Sequence, residues 1–167
     1  LNERQVKEFK TTLVSLENFV KSNPKDAKVN TELTTSMQAV DGAIAALPAE
    51  QRSKPKFVLQ VINELLDAAN AEYTAAIADS KIAEPIEYQD SRGFVVYAHE
   101  LYKWISSQVA TENPEADAAI KASFTELKAA WPSVIPPATA AKTPEDVTKL
   151  VTTIAENSQK IIKKASN

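Results

Sequence analysis

Glycine is scarce in this chain, and this scarcity limits the possible folds more than any other feature of the composition. Only two of the 167 residues are glycine, Gly42 and Gly93. β-Hairpins and tight turns commonly need glycine where φ is positive, so a β-rich fold is disfavoured. Alanine, the residue with the highest helix propensity, is abundant instead. The chain is therefore expected to be all-α.

Length and composition indicate one folded domain. A chain of 167 residues that is 44% hydrophobic and 25% charged can bury a continuous core, so a single domain over residues 1–167 is expected. The absence of cysteine excludes thiol catalysis, disulfides and cysteine-ligated metals. With a net charge of −3 and no dominant basic surface, nucleic-acid binding is not supported. Charges interrupt every long apolar stretch, so no membrane-spanning helix is expected.

Apolar residues recur at helical spacing in six segments. The first two stripes are Val6, Phe9, Leu13, Leu16 and Val20, then Leu33, Met37, Val40, Ile44 and Leu47. Four more helices are predicted over about 57–78, 85–109, 114–131 and 144–161, with a loop over 49–56. Short connections favour antiparallel neighbours. These segments predict an antiparallel bundle of about six helices.

A proline-rich segment, Pro132–Pro137, follows the fifth predicted helix. It cannot be helical throughout, because proline lacks the N–H that a helix interior requires. The segment contains two apolar residues, Val134 and Ile135. We therefore expect this loop to pack across the bundle through those side chains.

Polar residues occupy a face of the fourth predicted helix that should be apolar. Its inward stripe extends backwards at heptad spacing to Glu87, with Asp90 one turn from Phe94. In an antiparallel hairpin with the third helix, Glu72 lies roughly level with both carboxylates. Carboxylates on facing helices are how bundles hold hard cations and iron. We predict a site for a divalent or ferric cation with Glu87 and Asp90 as principal ligands, Glu72 as a third and Tyr88 in support.

A buried packing network is the alternative interpretation of these residues. In that network Arg92 neutralises Glu87 or Asp90, and the cluster fixes the register of two helices. This alternative predicts that Arg92 lies within hydrogen-bonding distance of a carboxylate. It also predicts that Glu87→Gln lowers the melting temperature without affecting any ligand.

Two further features lie on the same helix. Gly93 costs about 1 kcal/mol relative to alanine inside a helix, which a closely approaching backbone or a local kink would explain. The aromatic residues of this helix are spread around its circumference. They are Phe94, Tyr97, Tyr102 and Trp104. Either the next helix and the proline-rich loop cover them, or some form a patch for a partner.

Three stretches resemble a helical module of bacterial extracytoplasmic proteins, found in iron-uptake permeases and the imelysin-like proteins encoded near them. The stretches are Glu72–Ile77 with Ile82, Glu87–Phe94 and Ala130–Pro137. The resemblance implies a periplasmic or otherwise extracytoplasmic location and a role in metal uptake, and it supplies no catalytic residues. Imelysin-like proteins share a Gly-x-His-x-x-Glu motif, whereas His99 here is followed directly by Glu100 and lacks that glycine. The imelysin-like metal site is therefore not implied.

No enzyme signature is present: the chain has no glycine-rich phosphate loop, nucleophile elbow or His-Glu-x-x-His pair. We expect a non-enzymatic helical protein that binds a metal cation or assists an iron-uptake system. Its expected partner is a membrane permease or an extracytoplasmic protein. The alternative is a structural or protein-interaction module. The chain begins with Leu1, which fits a mature protein whose signal peptide has been removed, or a shortened chain.

Overall fold

A computed structural model of the protein describes the backbone of residues 3–164 and the side chains of residues 7–163. The predicted helical fold is confirmed, since this part of the chain forms helices, loops and one small β-hairpin. Contacts divide the chain into two compact units, Leu1–Arg52 and Ser53–Asn167. The single domain over residues 1–167 stays a prediction.

The first unit contains two long helices, α1 (Glu3–Ser22) and α2 (Val29–Ala45), and a short helix, α3 (Ala49–Arg52). Helix α1 ends where Pro24 disfavours helical geometry at the residue before it. Helix α3 lies in a segment that was predicted to be a loop, and this prediction is wrong. It forms because the Pro48 carbonyl accepts hydrogen bonds from the amides of Gln51 and Arg52 at 3.0 and 3.1 Å. The predicted stripe residue Val6 lies outside the described side chains.

The stripe predicted for α2 is largely exposed, contrary to expectation. Leu33, Met37 and Ile44 are all exposed, whereas the small residues Ser36 and Ala43 are buried. The Ser36 hydroxyl donates a hydrogen bond to a main-chain carbonyl of α1, that of Thr12, at 3.4 Å. The prediction fails because α2 contacts one neighbouring long helix within its unit, and small residues allow the closest approach there.

Each of the four helices in the second unit begins with a proline. They are α4 (Pro55–Ala76), α5 (Pro85–Glu112), α6 (Pro114–Lys128) and α7 (Pro144–Lys164). Proline suits the first turn because its missing N–H would have no helical partner there. Asn113 and Thr143 cap α6 and α7, accepting hydrogen bonds from the amides of Ala116 and Asp146 at 3.1 Å each. The predicted start sites therefore coincide with the observed ones at α5, α6 and α7.

The four helices form a closed ring in which each contacts two neighbours: α4 packs on α5 and α7, and α6 packs on α5 and α7. Neighbours are antiparallel, so the C-terminal turns of α4 and α6 meet the N-terminal turns of α5 and α7 at one end. The largest fully buried side chains of the ring include Tyr73, Tyr88, Tyr102, Phe124, Ile62, Ile120 and Ile154. Among the helices of residues 3–164, none combines the length and apolar character that a membrane crossing needs.

A β-hairpin joins α4 to α5, and we call this end of the ring the hairpin end. Strand β1 (Ile77–Ala78) pairs with β2 (Lys81–Ile82), and the turn residues Asp79 and Ser80 have φ of 50° and 60°. Positive φ at both central positions matches a type I′ turn, which glycine or asparagine normally occupies. The sequence does not predict these strands, because glycine, the usual signal of such a turn, is absent from it.

The loop of residues 129–143 lies across the hairpin end and contains the segment Pro132–Pro137, which was predicted to pack across the bundle. The groups that hold it there differ from those predicted. Val134 and Ile135 are exposed, so the expectation that their side chains pack across the bundle is wrong. The loop instead bonds through its backbone: Ala140 N–H donates to the Ser80 carbonyl at 3.0 Å. Lys81 and Thr139 also form a β-bridge. Main-chain hydrogen bonds leave the side chains of Val134 and Ile135 free to face outwards, whereas Trp131 at the start of the loop is buried.

Candidate functional site

The hairpin end brings Glu72 and Glu87 together, as the predicted antiparallel hairpin of α4 and α5 requires. Both side chains are half-buried, and their carboxyl groups lie within hydrogen-bonding reach of one another. The shared hydrogen bond raises the pKa of Glu87, with smaller contributions from desolvation and from the Glu72 charge. We call Glu72 and Glu87 the carboxyl pair.

The other two predicted ligands lie elsewhere on α5. Asp90 is exposed and makes no side-chain hydrogen bond within the described part of the chain. Tyr88 is fully buried, and its hydroxyl donates to the Ser133 carbonyl at 3.3 Å. Residues 7–163 contain no group of three His, Asp or Glu side chains able to hold a metal together. The structure thus brings two of the four predicted ligands together, and the metal site stays a prediction.

The rotation of α5 about its axis explains this separation. Tyr88 and Ser91 face the core, and the Ser91 hydroxyl donates to the Ala69 carbonyl of α4 at 2.6 Å. That buried hydrogen bond places Glu87 at the seam with α4. Asp90 lies about 100° of helical rotation from Ser91 and therefore points to solvent.

Arg92 does not pair with either carboxylate. Within the described residues its guanidinium forms no ion pair, so the predicted contact between Arg92 and a carboxylate is not made. Arg92 lies instead near the phenol of Tyr88. Burial raises the pKa of Tyr88, and the charge of Arg92 partly opposes that rise. The packing-network interpretation requires Arg92 to neutralise Glu87 or Asp90, and this contact is not made.

An aromatic cluster lies in the core at the hairpin end. The ring centroid of Tyr73 lies 4.9 Å from that of Trp131 in an edge-to-face arrangement, and 6.5 Å from that of Tyr88. The Tyr73 hydroxyl donates to the Lys142 carbonyl at 2.8 Å. Tyrosine hydroxyls thus reach through the core to the carbonyls of the crossing loop. Sequence reasoning missed these contacts, because no local pattern indicates which carbonyl a buried hydroxyl will reach.

His99 contributes to the core and not to the carboxyl pair. Its ring centroid lies 5.1 Å from that of Phe124. Burial lowers the pKa of His99, and the nearby charges of Lys128 and Lys103 lower it further. The neutral imidazole is therefore favoured at neutral pH.

Gly93 and two aromatic residues mark the outer face of α5. Nothing lies within 4 Å of the position that a Cβ on Gly93 would take, so the predicted close packing is not present within the described residues. Tyr97 and Trp104 are exposed, whereas Tyr102 is buried against Phe124. Neither α6 nor the crossing loop covers the two exposed rings.

These features define a class of protein: an antiparallel four-helix bundle whose helices begin with proline and whose hairpin end carries a carboxyl pair over buried tyrosines. The chain belongs to the family of the iron permease-associated 4-helix bundle domain, since the model of that family matches residues 48–165. The match contains all four helices of the ring and every predicted ligand. It confirms the resemblance to an iron-permease-associated helical module. Comparisons with curated proteins and with solved structures gave no match.

Proposed function

We propose that the protein is a non-enzymatic, extracytoplasmic component of an iron-uptake system, and that the carboxyl pair binds a metal cation there. Family membership supports the link to iron permeases. The observation that carries the cation site is the direct approach of Glu72 and Glu87 from neighbouring helices. Carboxylate oxygens contributed by facing helices are typical ligands for hard cations in bundles.

The electrostatics of the carboxyl pair favour a bound cation. Two adjacent carboxylates repel each other when both are ionised, and a shared proton relieves that repulsion, which is why the pKa of Glu87 is raised. A metal cation relieves it in the same way while leaving both groups ionised. Asp90, one helical turn from Glu87, supplies a third oxygen ligand after a change of rotamer.

Isothermal titration of the full chain with ferrous iron under anaerobic conditions, manganese, zinc, copper and calcium tests the site. We expect one of these ions to bind, with an affinity reduced at least tenfold by Glu72→Gln or Glu87→Gln. Asp90→Asn reduces it less. Glu64→Gln is the matched control, because Glu64 is an exposed residue of α4 and its loss changes the net charge equally. The proposal is refuted if no ion binds, or if all variants bind alike.

Thermal unfolding separates the cation site from the packing-network alternative. Because the pKa of Glu87 is raised in the folded state, its stabilising effect is present at low pH and lost as the pH rises through that pKa. We therefore expect Glu87→Gln to raise the melting temperature at pH 7, and the difference to vanish at acid pH. The bound metal should raise the melting temperature of the wild type but not of Glu87→Gln. The alternative expects the opposite sign for Glu87→Gln at pH 7.

A second candidate function is contact with the permease through the outer face of α5. Three large apolar side chains are exposed there: Ile86 by 70%, Tyr97 by 44% and Trp104 by 72%. At 100° per residue they lie within about 20° of one another around the helix and span about 27 Å along it. Asp90, Gly93 and Glu100 are also exposed on this face, so the three apolar side chains are separate anchors and not a continuous stripe. Exposed aromatic residues such as Tyr97 and Trp104 are typical of a surface that binds another protein. We propose an extracytoplasmic segment of the permease as its partner, because the family is associated with such permeases.

Co-purification with the permease from detergent-solubilised membranes tests this contact. We expect Trp104→Ala to reduce the recovered permease several-fold. Ile135→Ala is the matched control, since Ile135 is a 79% exposed apolar residue on the crossing loop. Equal recovery with both variants would exclude the α5 face as the contact.

A further inference from the structure

A small pocket opens between α5 and the end of α6. It has a volume of about 90 Å³ and is lined by Arg92, Val95, Val96, Lys128 and Trp131. Arg92 lies about 140° around α5 from Glu87, so this pocket is separate from the carboxyl pair. Nothing in the proposed function uses these residues.

The polar groups of this lining are all hydrogen-bond donors. Arg92 contributes a guanidinium, Lys128 an ammonium and Trp131 an indole N–H, and none of the three can accept a hydrogen bond. The two valines add only apolar surface. A pocket with two positive charges and no acceptor side chain is complementary to an anion.

Arg92 has no carboxylate partner within the described residues, and the one carboxylate near Lys128, that of Glu100, pairs directly with Lys103 at 2.6 Å. Arg92 and Lys128 form no ion pair within the described residues, although Arg92 is half-buried. Half-buried arginine is normally paired, because removing a charge from water is costly. The dipole of α6 favours Lys128 at its C-terminal turn, but it gives no reason for Arg92 to share a small pocket with another cation.

Trp131 adds an independent observation. The side chain is only 5% exposed, and its indole nitrogen is buried without a hydrogen-bond partner. Buried donors are nearly always paired, so an unpaired one indicates a missing acceptor. An oxygen atom of a bound anion in the adjoining pocket provides that acceptor.

We propose that this pocket binds a small oxyanion, a carboxylate or phosphate group, held by Arg92 and Lys128 and recognised by the indole N–H of Trp131. The volume of about 90 Å³ suits a group of a few heavy atoms. Guanidinium groups bind such oxygens in a bidentate manner. This site does not depend on the metal site or on the permease contact.

The chain contains only two tryptophans, so Trp104→Phe leaves Trp131 as the single reporter. Trp104 is 72% exposed, and its replacement should not disturb the fold. The fluorescence of this full-length variant is followed during titration with sodium phosphate and with sodium acetate, at an ionic strength held constant with sodium chloride. The indole N–H resonance of Trp131 is followed in parallel by NMR.

We expect a saturable change in both signals with phosphate or acetate, and no saturable change with chloride alone. Arg92→Gln should weaken binding at least tenfold, and Lys128→Gln several-fold. Lys103→Gln is the control, because Lys103 pairs with Glu100 at 2.6 Å and does not line the pocket. Circular dichroism establishes that each variant is folded.

The two anions distinguish the possible sources of the bound group. Tighter binding of phosphate would indicate that the pocket binds a tetrahedral oxyanion, and tighter binding of acetate would indicate that it binds a carboxylate. The proposal is overturned if chloride produces the same response, or if Arg92→Gln binds the anions within twofold of the parent variant.

Discussion

Replacement of Gly93 by alanine tests whether this glycine serves the bundle or a contact outside it. Gly93 lies in the interior of α5, and a Cβ added there meets no atom within 4 Å. The substitution therefore introduces no clash. Alanine is favoured over glycine in a helix interior by about 1 kcal/mol, because glycine loses more backbone entropy on folding. We expect Gly93→Ala to stabilise the protein by about that amount.

Chemical and thermal denaturation measure this gain. For a unit of about 115 residues, a gain of 1 kcal/mol corresponds to a rise in melting temperature of about 4 °C. Gly42→Ala is a matched control, since Gly42 is also helical, exposed and without atoms within 4 Å of its Cβ position. A loss of stability in Gly93→Ala would refute the reasoning, because it would mean that α5 needs glycine for its own geometry.

The same two variants test the proposed permease contact. If a partner backbone approaches α5 closely at Gly93, then Gly93→Ala should reduce co-purification of the permease while raising stability. Gly42→Ala should leave the recovered permease unchanged. A stabilising Gly93→Ala with unchanged recovery would place the partner away from this part of α5.

Three further expectations concern the core and the two units. Tyr102→Phe should lower the free energy of unfolding by about 1.5–3 kcal/mol in denaturant titrations, because the Tyr102 hydroxyl donates to the buried carboxylate of Asp117 at 2.8 Å. If this pairing is the cause, adding Tyr102→Phe to the Asp117→Asn variant should leave the free energy of unfolding of that variant unchanged. Burial raises the pKa of Tyr73, Tyr88 and Tyr102, so their contribution to stability should be present below about pH 10 and lost at higher pH, which melting curves between pH 8 and 11 would show. Hydrogen exchange should be faster in α1 and α2 than in α4–α7, because the first unit buries fewer large apolar side chains; equal protection in both units would contradict this.

The helices of the second unit could be predicted because their signals are local. Pro85, Pro114 and Pro144 each act on the turn that contains them, and the apolar spacing between them needs no distant partner. The stripe of α2 could not be assigned to a buried face in the same way. Helical spacing shows that a face is apolar, but only the neighbouring elements decide whether Leu33 and Met37 are covered.

The candidate site was predicted in part. Two antiparallel helices joined by a short connection place Glu72 and Glu87 at the same height along the bundle, and the two carboxyl groups are close together in the structure. The position of Asp90 depends on the rotation of α5, which the buried hydrogen bond from Ser91 to Ala69 determines. The sequence predicts that Arg92 pairs with a nearby carboxylate, that of Glu87 or Asp90. In the structure Arg92 instead lines a pocket with Lys128, the last residue of α6, and Trp131 of the following loop.

Composition and spacing alone were sufficient for the fold class, the order of the helices and the carboxyl pair on neighbouring helices. Two glycines in 167 residues, with proline at the helix starts, leave few alternatives to a helical bundle. The tertiary structure decided the hairpin with positive φ at Asp79 and Ser80, the exposed face of α5 and the pocket of donors at Arg92. These features depend on contacts between residues far apart in sequence. Such contacts determine how each helix is rotated about its axis and how much backbone strain a turn tolerates. A local sequence pattern does not specify these contacts.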